Sequence, residues 1–359
     1  MIGFRCALRR CWFAGVVLAI VSLLADGRAA TGAPPAAPSE RPAVASPSAS
    51  TVPVPPGCGI DEALFALKEM DMHLHAGMER QVPLSEWMSM AAADGRKVIV
   101  LLDHLELYRK TPEQYAQWAQ EEGFEQWYRV GAEGRRAFMN DMASVRERGD
   151  VITFRGWEIS EGELDTGIER EPMRMAEVIG WHISPNHQGN PPDGQLLIRR
   201  IQQVAEVQNE FPVPMILFHP FTMRLEHIQR KAREAGRDLS TLTVEEYRFF
   251  QPGEQERVAE LLRGKSIYVE VSRSTGGYWK DPICRAALIA DIKPLAEMGV
   301  QFTVSTDGHG VRGAQMPFEP RVYCDSLGVT PANANTMVRE LFALRARNAV
   351  NAARGESAH

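Results

Sequence analysis

Nine histidines occur in this 359-residue chain, and six of them finish or adjoin short apolar runs, mostly beside a carboxylate or another histidine. In order the groups are Asp71-Met-His73-Leu-His75, Asp103-His104, Glu158, His182, His219-Pro220, Glu270 and Asp307-Gly-His309. A single histidine at a strand end is usually a satisfied polar residue, and an Asp-His pair alone often marks only a turn. A whole series of them points to cation binding. Imidazole and carboxylate together suit zinc, manganese or iron, whereas calcium takes oxygen-only sets. The set exceeds the four ligands of a structural zinc site. It implies two or three divalent ions sharing bridging carboxylates, an arrangement suited to hydrolysis. Residues two apart on a strand face the same side, so His73 and His75 can address one ion, as can Asp307 and His309 if the strand continues that far. The other histidines, His187, His227 and His359, read as loop, helix-surface and chain-end residues.

Seven short runs rich in β-branched and apolar residues carry these groups: 70–75, 98–103, 151–157, 177–183, 215–219, 267–271 and 301–307. Their length and composition suit buried parallel strands. Longer amphipathic stretches alternate with them. One starts at Ser85, a good cap, and stops at Gly95; others cover 132–148, 195–210, 254–263, 284–297 and 332–354. The alternation predicts an α/β fold, either a distorted seven-stranded βα (TIM-like) barrel or an open doubly wound sheet. No G-x-G-x-x-G turn is present, which weighs against dinucleotide binding. In βα barrels the chemistry lies at the C-terminal ends of the strands, where the polar residues of this chain fall.

The composition, 44% hydrophobic and 24% charged, excludes a wholly disordered or collagen-like chain. Residues 1–30 have a basic start (Arg5, Arg9, Arg10), an apolar run over 14–25 and small residues after it, the order of a secretory signal. The run is shorter than the ~20 residues that span a bilayer, so no stable membrane insertion is expected after cleavage. Residues 31–57 hold eight prolines and read as a disordered spacer, leaving 58–355 as one catalytic body. A cut after Ala30 leaves 36 basic against 45 acidic residues, an acidic periplasmic or extracellular protein. That charge disfavours long nucleic acid as a partner. Cys58, Cys284 and Cys324 remain, enough for one bridge with no pairing legible.

The ordered series D-x-H-x-H, D-H, G-x-E, H-P, E-V, D-x-H resembles the polymerase-and-histidinol-phosphatase (PHP) family. Here it reads Asp71-Met-His73-Leu-His75, Asp103-His104, Gly156-Trp-Glu158, His219-Pro220, Glu270-Val271 and Asp307-Gly-His309, spanning roughly 65–310. The resemblance implies a distorted seven-stranded barrel and hydrolysis of phosphate esters by a metal-bound hydroxide. It also implies a site for two or three ions of manganese, zinc or iron. On it, His73, His75, Glu158 and Asp307 hold a first ion. Glu158 bridges to a second that takes His219, and His104 and His309 hold a third. Two departures concern the ligands. The family carries a His or Asp where this chain has Arg80 and Gln81, with Glu79 alongside. It also carries a histidine near the position of Met175, for which His182 could substitute. Asp71 and Asp103 could orient ligand histidines. Arg273, with Arg155 and Lys280, could grip phosphate oxygens. The expected substrate is a small phosphorylated molecule, and the oligomeric state is not legible. Two rivals stand beside this: an amidohydrolase-type enzyme acting on C–N or C–O bonds, and a barrel that binds metal without catalysis.

Overall fold

The computed structural model describes residues 65–76, 84–122, 130–144, 147–148, 151–183, 194–309 and 318–354. The expected signal and spacer, and with them Cys58, Glu79, Arg80, Gln81, His187 and His359, lie outside the described residues.

Seven parallel strands follow one another around a nearly closed barrel: β1 (Met70–His75), β2 (Val98–Leu102), β3 (Val151–Ser160), β4 (Val178–His182), β5 (Met215–Phe218), β6 (Ile267–Ser272) and β7 (Phe302–Ser305). The ring closes where Leu74 bridges Gly308. There the His75 amide donates to the Gly308 carbonyl (3.1 Å), and the Gly308 amide donates to that of His73 (3.4 Å). The sequence supplies unbroken apolar runs because parallel strands are covered on both faces. β2 is the clearest case, its five residues VIVLL being wholly buried.

The strands form as read to within a few residues, and three of the differences in length bear on the site. β3 runs on to Ser160, so Glu158 lies within a strand and not at its end. β7 stops at Ser305, so Asp307 and His309 stand on the segment after it. β5 stops at Phe218, leaving His219 as the residue before the helix Pro220–Glu234. Among the helices, the one expected over 132–148 ends at Ser144, and Glu147–Arg148 pair antiparallel with β3. The helix Leu84–Ala93 starts one residue before Ser85, and Gly95 ends it at φ +74°, as its type predicts. The closing helix Pro331–Ala353 is capped by Thr330, whose hydroxyl accepts from the Asn333 amide. Its Arg345 donates to Glu177 (2.7 Å) and lies over the Phe154 ring.

His227 is corrected by the structure: it sits on a helix as expected, but it is buried, with its Nδ1 3.0 Å from Arg230 Nη2. Cys284 and Cys324 are buried and unbridged. Among the described residues no helix is long and apolar enough to cross a membrane.

Candidate metal centre

In a parallel sheet, paired positions share a face, so the register decides which side chains enter the barrel. Glu158 pairs with Gly180, His182 with Phe218, and Glu270 with Thr303, and these rows converge at the mouth. β1 gains one residue relative to β2 between Asp71 and Leu74, an irregularity directly under the two histidines. His73 stacks on the Phe218 ring at 3.7 Å. That ring occupies space which only a glycine leaves open, since a Cβ on Gly180 would stand 1.8 Å from it.

The Nε2 atoms of His73 and His75 are 2.9 Å apart. Glu158 Oε2 faces both, at 3.2 and 3.0 Å, and Asp307 Oδ1 faces both, at 3.6 and 3.3 Å. Around a cation with bonds of ~2.0–2.1 Å, tetrahedral ligand atoms stand ~3.3 Å from one another. The observed spacings bracket that value, so the donor set fits a zinc-, manganese- or iron-type ion. The second oxygens of the two carboxylates reach other histidines. Glu158 Oε1 is 3.0 Å from His182 Nδ1, and Asp307 Oδ2 is 3.6 Å from His219 Nε2. Both carboxylates are therefore placed to bridge. The donor atoms of His75, His104 and His309 form a further group, all within 4.8 Å of one another, as do those of His73, His219 and Glu270. His309 Nε2 lies 2.9 Å from Asp307 Oδ1.

All eight histidines and carboxylates expected as ligands are thus brought together. The two carboxylates expected to orient them each accept from a ligand histidine's backbone amide, Asp71 from His73 (3.4 Å) and Asp103 from His104 (2.9 Å). Asp71 accepts from the Thr306 amide (2.9 Å) and hydroxyl (2.7 Å) and pairs with Arg96 (3.2 Å), so it fixes the residue before Asp307. Asp103 accepts from the His104 amide and the Tyr108 hydroxyl. The carboxylate held against two ligand rings is Glu270, which the sequence marks by the Glu270-Val271 pair of the sixth run. Its Oε1 is 2.8 Å from His73 Nδ1, and its Oε2 is 3.0 Å from His219 Nδ1 and accepts from the His219 amide. Arg273 opens the segment after β6, half-buried, where Asp307 and Asp71 both act on its charge. Arg155 is corrected: it lies in mid-strand and donates to the Met139 carbonyl, away from the mouth. Lys280 is exposed beyond the short helix Arg273–Tyr278. Glu106 went unnoticed in the sequence, and its Oε1 is 3.3 Å from His104 Nδ1.

Among the described residues two non-glycine residues take left-handed backbone conformations, His219 at φ +58° and Asp307 at φ +52°. Both belong to the cluster. Such positions are sparsely populated for L residues and persist where the surroundings hold them.

Electrostatics are set by the same contacts. Burial opposes protonation of His73 and His219, but the carboxylates Glu158, Glu270 and Asp307 outweigh it and raise both imidazoles to about 10. Burial likewise opposes ionisation of Glu270, yet His219 and His73 hold it at about 2. Glu158 and Asp307 are also held below the usual carboxylate range, again against burial and by the surrounding histidines. A raised imidazole contributes stability that is complete below its unfolded value and lost as pH climbs through the folded one. A depressed carboxylate contributes above its unfolded value and loses that contribution as pH falls through the folded one. In chelator-treated protein the cluster therefore stabilises most between the ordinary carboxylate and imidazole values, roughly pH 4.5 to 6.5. The melting temperature should fall from pH 7 to pH 10. Divalent cations must displace imidazole protons, so binding should release protons and tighten as pH rises. Calorimetry in two buffers of different ionisation enthalpy measures that release, and its absence would contradict the ligand set.

Fold and cluster together define a seven-stranded βα barrel whose C-terminal mouth carries histidine–carboxylate groups able to hold divalent metal. No protein-family model and no curated protein matches the chain. Solved structures that it resembles include three barrels. The histidinol phosphate phosphatase of Lactococcus lactis subsp. lactis Il1403, complexed with zinc, L-histidinol and phosphate, is 14% identical, with 77% of this chain and 94% of that one covered at a TM-score of 0.41. A putative 2-pyrone-4,6-dicarboxylic acid hydrolase of Pseudomonas putida is 18% identical, with 77% and 98% covered and a TM-score of 0.35. The dihydroorotase of Campylobacter jejuni is 12% identical, with 76% and 80% covered and a TM-score of 0.33. No residue role is taken from any of them.

Proposed function

We propose that this chain is an exported metal-dependent hydrolase of the PHP type that cleaves the phosphate ester of a small molecule. One observation carries the reading: Glu158 and Asp307 each turn their two oxygens toward different histidines. Two carboxylates so placed, with the histidines they face, would hold divalent ions at the mouth. When bound, such ions supply Lewis acidity and a water acidified toward neutrality. The chain's own residues do the positioning. Glu270 fixes the rings of His73 and His219, so that each presents its Nε2 to the mouth. Asp71 fixes Thr306, and through it the backbone that carries Asp307. Arg273, at the rim beside Asp307, offers a planar cation to non-bridging phosphate oxygens.

Chelation should abolish turnover of small phosphomonoesters and phosphodiesters, and added manganese or zinc should restore it. A screen of phosphoesters, amides and lactones on one preparation checks this. Cleavage of amides or lactones alone would replace the reading with the amidohydrolase one, and stable metal content without any turnover would favour a binding barrel. Export is part of the proposal and rests on the order of residues in 1–30. N-terminal sequencing of native protein should find the chain starting between residues 27 and 32, whereas an intact Met1 in a soluble cytoplasmic fraction would remove that part.

A further inference from the structure

We propose that Glu106 is a cation ligand of this centre, completing its outermost position beside His104 and His309; the inference rests on the metal-dependent reading above. The turn Leu105–Arg109 buries Leu105, Leu107 and Tyr108 in the core, which leaves Glu106 directed toward the mouth. Its Oε1 stands 3.3 Å from His104 Nδ1, and the same nitrogen is 3.5 Å from Glu158 Oε2. Both separations exceed a good N–H···O hydrogen bond of ~2.7–3.2 Å. They match the ~3.3–3.4 Å between neighbouring ligand atoms around a cation with bonds of ~2.0–2.1 Å. The other oxygen, Oε2, is shielded from solvent and has no hydrogen-bond partner among the described residues. A carboxylate oxygen is costly in that condition unless a cation or a donor meets it. The donor atoms of His75, His104 and His309 form a group of three imidazoles that brings no charge of its own when neutral. A carboxylate at this edge supplies the negative charge that a third divalent ion needs.

A bland alternative is that Glu106 only steadies the His104 ring. Gln discriminates between the two roles, because its amide oxygen still accepts a hydrogen bond but carries no charge. The test uses the full chain, stripped with chelator and titrated with Mn²⁺, with bound metal counted by mass spectrometry and affinities taken from calorimetry. Glu106→Gln and Glu106→Ala should each bind one Mn²⁺ fewer than the parent chain, or bind the weakest ion at least ~10-fold less tightly. The remaining affinities and the metal-free melting temperature should stay close to the parent's. Glu106→Gln binding as many ions as the parent, the weakest within threefold, would overturn the ligand role and leave the metal-dependent reading intact. A parent chain that binds no Mn²⁺ or Zn²⁺ would overturn both.

Discussion

Glu158→Gln should lose about a thousandfold or more in turnover, equivalent to ~4 kcal/mol of transition-state stabilisation, and should retain at least one ion fewer per chain. The substitution keeps the volume and an acceptor oxygen. It removes the one charge faced by nitrogens of His73, His75, His104 and His182 together. Glu158 is 1% exposed, so solvent cannot make good the loss. Metal counting and kinetics on the same sample decide the matter, with circular dichroism as the control for folding. A Glu158→Gln chain with its full metal complement would show that the carboxylate is structural.

The second large effect lies beneath the mouth. Asp71→Ala should destabilise the fold by ~3–5 kcal/mol, because it removes the acceptor of two Thr306 hydrogen bonds and the wholly buried carboxylate that pairs with Arg96, leaving the more exposed Asp94 (3.1 Å). Asp71 is wholly buried, and burial pushes its carboxyl up even though Arg96 and Thr306 pull the other way. For a domain of this size the melting temperature should drop by ~10 °C. The double variant Asp71→Leu with Arg96→Met should recover part of that loss, since removing both leaves no buried charge of the pair behind. It should not recover turnover, because Thr306 still loses its anchor and Asp307 with it. A double variant no more stable than the single one would refute the ion-pair account.

The fold was legible because its strands are nearly pure apolar runs. VIVLL of β2 can be read residue by residue, since both its faces are covered, and in β1 Asp71, His73 and His75 alternate with apolar residues. Its cluster partners could be named from strand ends, but their local geometry could not. Arg155 looks like a strand-end residue only while the run is taken to stop near Trp157. The three further residues of β3 put it in mid-strand and set Glu158 beside Gly180. The left-handed turn at Asp307 is only weakly signalled by its Asp-Gly pair, because Asp71 holds the preceding Thr306 from 235 residues away in sequence. Glu270 is marked in the sequence without its role, and Glu106 is not marked at all. One sits inside a strand that reads as core, and the other follows His104 into a turn whose remaining pattern is apolar.

The closure of the barrel has a consequence in time. Every other neighbouring pair of strands can zip as the polypeptide emerges, but the edge between β1 and β7 must wait until residue 308 has been made. His73 and His75 stand on one lip of that edge, Asp307 and His309 on the other. The ligand set is therefore completed late, and any ion it takes would act as a clasp on a ring that was open until then. Breathing of the finished barrel should begin at the same edge, where the His75 and Gly308 amides would exchange with solvent water sooner when the clasp is withdrawn.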